Sequence, residues 1–438
     1  MTLELPRAST VESVRFTAQI GVPGVLSGLF KKRGAVVAVT GRIGVEGAAY
    51  SLMEGLARKH GPEPFWVSVA GDDTVIVHHP DDIRLVLEGS PERFGSDPEA
   101  KRKGMRAFQP EALTISRGDL WRQRRLFAEA VLDTGSAVHR QAGELVAVAA
   151  QEAAPLVAAL TDGGIDDDAV SAAFQRMTRR VVLGDAAADD EELTELLGDL
   201  MAAGNKMPDE PAEGYGKLIR KLEVYVASAQ PGSLVALAGD APEPPGGVAS
   251  QLVHWLFAMG DTLATNVMRT LAALAAHTAI REEVAETVAG ADLSDPAEVA
   301  GLELLAGCLM EAMRLWPTTP MFGRVALEDI RFSRGAVVPE GTPFLIVNAF
   351  NHRNRDRLGD FADTFAPGAW VDGDAGEDWS FNFFSHGPQG CPGAALATLL
   401  GQAVLARLID RPLTLEGVSM AQGDLPHGLD PARLTVTA

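Results

Sequence analysis

The stretch from about Val248 to about Ala276 reads as a single helix. At 1.5 Å per residue it runs roughly 40 Å, enough to cross a whole domain. In its middle, "HWLFAMGDTLATNVM", hydrophobic residues flank an Asp-Thr pair on all sides. The loop-like "GDAPEPPGG" (239–247) precedes it. Helical periodicity dominates from about 120 to 310, and a further helix is expected over about 298–315. Residues 64–79 alternate around Gly71-Asp72 and read as a hairpin. "PDDIRLVLEGS" reads as a short helix, and "PERF" (91–94) as the end of it. Short strands and loops follow Pro317, and one more helix begins at about Gly393. The expected fold is mainly α with small β-sheets near both ends of the chain.

Composition narrows the function classes. A chain of 438 residues, 46% of them hydrophobic, has ample material for a large core. A net charge of −21 makes nucleic acid or an anionic membrane a poor partner for the overall field. Two cysteines argue against a disulfide framework and for a reducing, cytoplasmic setting. "MTLELPRAST" lacks the pattern of a secretory signal. "IGVPGVLSGLF" (20–30), followed by "KKR", is too short to span a bilayer and reads as a surface or packing segment. "AVVAVTGRIGVEG" (35–47) spaces its glycines G-x-x-G-x-x-G, not as a dinucleotide fingerprint, and reads as a turn or helix start.

One cysteine stands in "FFSHGPQGCPG" (383–393). Thiolate, not thiol, is the ligand and nucleophile. Gly387, Gly390 and Gly393 let backbone approach the sulfur, and Pro392 suits a first helical position. Cys391 is thereby expected at a helix N-cap, where unpaired N–H groups favour negative charge. Such a thiolate serves as metal ligand or nucleophile; the plain alternative is a buried structural cysteine.

The loop fits F-x-x-G-x-x-x-C-x-G at Phe384, Gly387, Cys391 and Gly393, and so resembles the heme-binding signature of the cytochrome P450 superfamily, of the soluble, bacterial type. The resemblance implies a P450-like fold, with heme b between the long central helix and the cysteine-loop helix. It implies one domain over 1–438, with a small β-containing part to about 100 and a helical heme-binding part from about 101. Cys391 would be the axial thiolate, which pushes electron density onto iron. Gln389 stands where the family usually carries Arg or His for a heme propionate.

Four further patterns follow in family order. Trp121 and Arg125 match W-x-x-x-R on a heme-contacting helix, and Arg324 takes the place of another propionate-binding arginine. Ala258, Asp261 and Thr262 match the oxygen-activating A-G-x-[DE]-T, with Met259 replacing its glycine. Asp261 and Thr262 would relay protons, and the threonine hydroxyl would bend the helix by bonding an upstream carbonyl. Glu311 and Arg314 match E-x-x-R, a buried structural pair, 77 residues before Cys391. "FAPGAW" (365–370) has Ala369 where the family's network carries a third charge.

By family position the substrate pocket would draw on Phe108, Leu113 and Ile115, on Phe257 and Ala258, and on Thr318, Thr319, Met321 and Phe322. These are mainly apolar, so a small hydrophobic substrate is expected. Arg122 and Arg124 would help dock an acidic ferredoxin, alongside the basic cluster Lys101, Arg102, Lys103 and Arg106. The expected function is a heme-thiolate monooxygenase drawing electrons from separate ferredoxin and ferredoxin reductase. Alternatives are peroxide-driven or non-hydroxylating oxidation such as oxidative coupling, a non-catalytic heme sensor, and a heme-free thiol enzyme.

Overall fold

The computed structural model describes residues 4–23 and 44–438. The apolar stretch 20–30 from position 24 onward, and most of 35–47, lie outside the described residues. The described end of the latter, from Gly44, opens the Val45–His60 helix.

The central rod forms as expected, with one modification. Helix Val248–Phe257 continues through a π-turn, Ala258–Leu263, into helix Ala264–Ala276. A π-turn inserts an extra residue into the helical ladder, and such bulges are frequent at functional sites. The largest core cluster surrounds this rod and includes Leu252, Val253, Leu263, Val267 and Leu271. Helix Asp167–Leu183 packs along the rod. The side chain of Asp166 starts that helix by accepting the Ala169 N–H at 2.9 Å. The expected 298–315 helix is two, Pro296–Ala300 and Glu303–Leu315, separated at Gly301-Leu302.

The strands, in chain order, are β1 Phe65–Val69, β2 Asp72–Val77, β3 Phe94–Gly95, β4 Ile165–Asp166, β5 Phe322–Ala326, β6 Ile330–Arg331, β7 Val337–Val338, β8 Pro343–Ile346, β9 Thr414–Glu416 and β10 Thr435–Thr437. The main sheet has the order β1-β2-β8-β5-β3; β4-β10-β9 and β6-β7 form two smaller sheets. The β1–β2 hairpin pairs Val69 with Asp72, so its turn is Ala70-Gly71, one residue earlier than the sequence suggests. Both turn residues have positive φ, 52° and 101°, as a two-residue hairpin turn with the right twist requires. Phe94 of "PERF" lies in β3 and pairs with Ala326, so it belongs to the sheet and not to the preceding helix.

Helix Ala142–Thr161 is, among the described residues, the one long and apolar enough to cross a membrane. It packs against the helices Asp167–Leu183 and Ala394–Leu405. Its buried Glu152 accepts from Arg176 at 3.1 Å and Arg180 at 2.6 Å.

Candidate active site

The cysteine loop is held by its own backbone. Cys391 N–H donates to the Phe384 carbonyl at 2.7 Å, and Gly390 N–H to the Gly387 carbonyl at 2.9 Å. Gly387 has φ +67°, and a Cβ there would stand 2.8 Å from the Leu87 carbonyl oxygen, so glycine is required twice over. The helix after the loop is Ala394–Leu405, with Gly393 as its N-cap. The sequence-based placement of Cys391 at the N-cap is therefore corrected: Cys391 precedes a turn at Pro392-Gly393 that leads into the helix. The Gly393 N–H still reaches the sulfur.

Cys391 keeps accessible surface, yet surrounding protein is dense enough to push its thiol pKa up. The Gly393 N–H and the charge of Arg125 pull the other way. Arg125 anchors the loop from helix Gly118–Leu132, donating to the Gly390 carbonyl at 2.5 Å and to Glu129 Oε1 at 2.6 Å. Trp121, one turn earlier, is half-buried.

Two cations point inward nearby. Arg324 on β5 is buried, donates to Ser90 Oγ at 3.1 Å and the Gly323 carbonyl at 3.0 Å, and lies 4.1 Å over the Phe322 ring. Burial pushes its pKa down to about 9. Lys101 Nζ donates to the Ser96 and Thr114 carbonyls at 2.9 Å each. Burial, and then the charge of Arg324, push it down to about 7. Neither forms an ion pair among the described residues. Gln389 Nε2 donates to Ser96 Oγ at 3.3 Å, while its Oε1 is buried without a partner.

The rod packs against the helix that follows the loop. A Cβ at Gly401, on the cysteine-loop helix, would meet Leu309 at 2.7 Å and Leu263 and Val267 at 3.6 Å, so glycine lets that helix approach helix Glu303–Leu315 closely while touching the rod. Within the π-turn, Asp261 Oδ1 accepts from Gln175 Nε2 at 2.8 Å. A Cβ at Gly260 would lie 2.7 Å from Gln175 Oε1, so the glycine makes room for this carboxamide. Gln175 was not legible in the sequence, because 86 residues separate it from its partner. Thr262 is half-buried, and its hydroxyl makes no protein hydrogen bond among the described residues. The helix is widened by the π-turn instead of being bent by a bond from that hydroxyl. Met259 is buried in the main core.

Behind the loop, Glu311 and Arg314 form a bidentate pair at 2.7 Å, fully buried. Arg314 also donates to the carbonyls of His352, Phe361, Ala362 and Thr364. Glu311 accepts from the Ala366 N–H and from the Trp370 indole N–H, each at 2.9 Å. The network lacking a charge at Ala369 is completed by its neighbour's indole. Trp370→Phe keeps the ring and removes the donor. It is expected to lower stability by about 1–3 kcal/mol, read as an earlier urea midpoint.

A family model described as Cytochrome P450 matches residues 247–412, from the rod through the cysteine-loop helix. Cytochrome P450 monooxygenase ptmK of Penicillium ochrochloron is 30% identical over 174 residues, 36% of this chain and 34% of that protein. A cytochrome P450 of Arthroderma benhamiae is 29% identical over 210 residues, 44% of this chain and 42% of that protein. Cytochrome P450 4c3 of Drosophila melanogaster is 30% identical over 179 residues, 39% of this chain and 33% of that protein.

Over residues 247–412 the chain is similar to the cytochrome P450 superfamily.

The matched stretch spans about a third to two fifths of these relatives' length, and they are fungal and insect proteins, not bacterial ones. The cofactor of a cytochrome P450 is heme b, an iron porphyrin with two anionic propionates. The residues here fit it: the thiol keeps accessible surface, Arg324 is buried with no ion-pair partner among the described residues, and Lys101 turns inward beside it.

The other sequence-predicted residues fall into distinct places. Leu113 and Ile115 form a half-buried 3₁₀ turn before the Trp121 helix. Phe108 is fully buried, its ring centroid 6.1 Å from that of Phe257. Phe257 and Ala258 are half-buried at the start of the π-turn. Thr318 is half-buried and Thr319 exposed. Met321 and Phe322 pack against the two clusters beneath the main sheet. His386 stacks on Trp379, with ring centroids 5.0 Å apart.

Two basic residues are corrected. Arg124 is buried, donating to Ser116 Oγ at 2.6 Å and the Pro245 carbonyl at 3.0 Å, so it presents no charge to a docking protein. Lys101 turns inward and leaves the basic surface cluster. Arg122 stays exposed, with Asp119 at 2.7 Å and Glu92 at 3.1 Å as partners.

Proposed function

We propose that the protein is a heme-thiolate monooxygenase, inserting one oxygen atom from O2 into a small hydrophobic molecule. The observation that carries this reading is the pairing of an accessible Cys391 with the inward-turned cations Arg324 and Lys101, of which Arg324 is buried without an ion-pair partner among the described residues. The printed names of two matched relatives, both monooxygenases, support it. When bound, heme supplies the redox chemistry that splits dioxygen with two electrons.

The chain's residues hold and serve that group. Cys391 binds the iron, with Phe384, Gly387 and Gly393 shaping the loop around the sulfur. The Gly393 N–H and Arg125 favour the thiolate. Arg324 and Lys101 meet propionate charge, and the Trp121 indole N–H adds a donor. Asp261, held by Gln175, passes protons toward Thr262. The unengaged Thr262 hydroxyl accepts them on one side and donates them on the other. Ala258 leaves space beside this pair for a small reactant. Leu113, Ile115 and Phe257, with the methyl group of Thr318, present apolar surface that excludes water from the reacting carbon.

Electrons are proposed to come from a ferredoxin and its reductase, received on the face that carries Arg122 in a cytoplasmic setting. The test is turnover of NAD(P)H with added ferredoxin and reductase, set against turnover with hydrogen peroxide alone. Product formed only with the reductase chain and O2 supports the reading. Product formed with peroxide alone, and none with the reductase chain, overturns it.

A further inference from the structure

One polar pair breaks the apolar wall at the start of the rod. His254 lies one turn before Ala258 and two before Thr262, so helical spacing places the three along one stripe. Its Nδ1 meets Gln109 Oε1 at 3.1 Å. Gln109 is fully buried, and its Nε2 has no partner. His254 shares the signature of Cys391. It keeps accessible surface, yet burial, and then the charge of Lys101, push its pKa down to about 4. The imidazole is therefore held neutral, beside Gln109 and the Phe257 ring. Its Nε2 has no protein partner among the described residues. The surroundings are aromatic: the Phe257 ring lies 6.1 Å from both His254 and Phe108. With accessible surface and no protein partner among the described residues, His254 Nε2 is the polar atom of the pair that a ligand can reach.

We propose that His254, oriented by Gln109, is the polar subsite of the substrate recess, and that the substrate is an apolar molecule bearing a hydroxyl that bonds His254 Nε2. This rests on the monooxygenase reading above and narrows its substrate class. The hydroxyl follows from the two arrangements open to the pair. In one, His254 Nδ1–H donates to Gln109 and Nε2 accepts. In the other, the Gln109 amide donates to Nδ1 and Nε2–H donates. A hydroxyl completes either arrangement; a ketone completes only the second; a halogen or hydrocarbon completes neither.

The experiment titrates the ferric holoprotein with 1-adamantanol, 2-adamantanone and 1-chloroadamantane, followed by absorbance and by calorimetry, which does not depend on the iron. The alcohol is expected to bind about tenfold more tightly than the chloride, the size of one hydrogen bond. His254→Phe should bring the two within about twofold, and Gln109→Leu should shrink the preference. The inference is overturned if the wild-type protein shows no preference for the alcohol, if the alcohol fails to bind, or if the preference survives His254→Phe. A protein that lacks a thiolate-ligated iron signature fails the functional reading itself. One that has the signature but no alcohol preference fails only this inference.

Discussion

Glu311→Ala is expected to leave little or no folded protein able to retain heme. The substitution strips the Arg314 guanidinium of its counter-charge in a fully buried setting, with only carbonyl oxygens left around it. It also leaves the Trp370 indole and the Ala366 N–H without an acceptor. Breaking one side of a buried pair costs about 3–5 kcal/mol, a large part of a typical total stability of about 5–15 kcal/mol. The same helix sits against the 365–370 segment so closely that a Cβ at Gly307 would stand 2.6 Å from the Pro367 carbonyl, so there is no room to relax. The checks are the yield of heme-containing protein and the urea midpoint. Asp356→Asn is the control. It breaks the exposed pair with Arg58 at 2.7 Å and should leave both nearly unchanged.

Asp261→Asn is expected to lower product formation by about a hundredfold, the lower end of what a positioned proton donor contributes. Thr262→Ala should consume electrons at near the normal rate but divert them from product to released hydrogen peroxide. Both effects follow from the π-turn, which sets the carboxylate and the unengaged hydroxyl on adjacent residues. Gln175→Leu removes the 2.8 Å bond that holds the carboxylate but keeps the carboxylate itself. Its loss should therefore be smaller and in the same direction. The ratio of product to electrons, with peroxide measured alongside, separates these cases. Tight coupling in the threonine variant would contradict the relay.

What the sequence made legible was short-range. The cysteine loop, the Glu311–Arg314 pair at i,i+3 and the hairpin around Gly71 are each written within a few residues, where backbone geometry fixes the outcome. The rod was legible from length and periodicity, but not its π-turn, because an extra residue in the ladder leaves no local signature. Partners from distant segments were invisible. Nothing around Ala369 announces that Trp370 faces Glu311, and nothing around Lys101 shows that it turns toward Arg324. The basic cluster misled because composition counts charges without saying which face they occupy: Arg124 went inward while Arg122, two residues away, stayed out. The N-cap placement failed for a different reason. Proline suits a first helical position, but the glycine after Pro392 allowed the turn to close one step later.

The central claim is that the sulfur of Cys391 grips the heme iron. Its most direct test is the absorption spectrum of the reduced protein under carbon monoxide, recorded for the wild type and for Cys391→Ala. The wild type should show the band that only thiolate-ligated iron gives, and the variant should lose it. A wild-type protein without that band, or a variant that keeps it, contradicts the account.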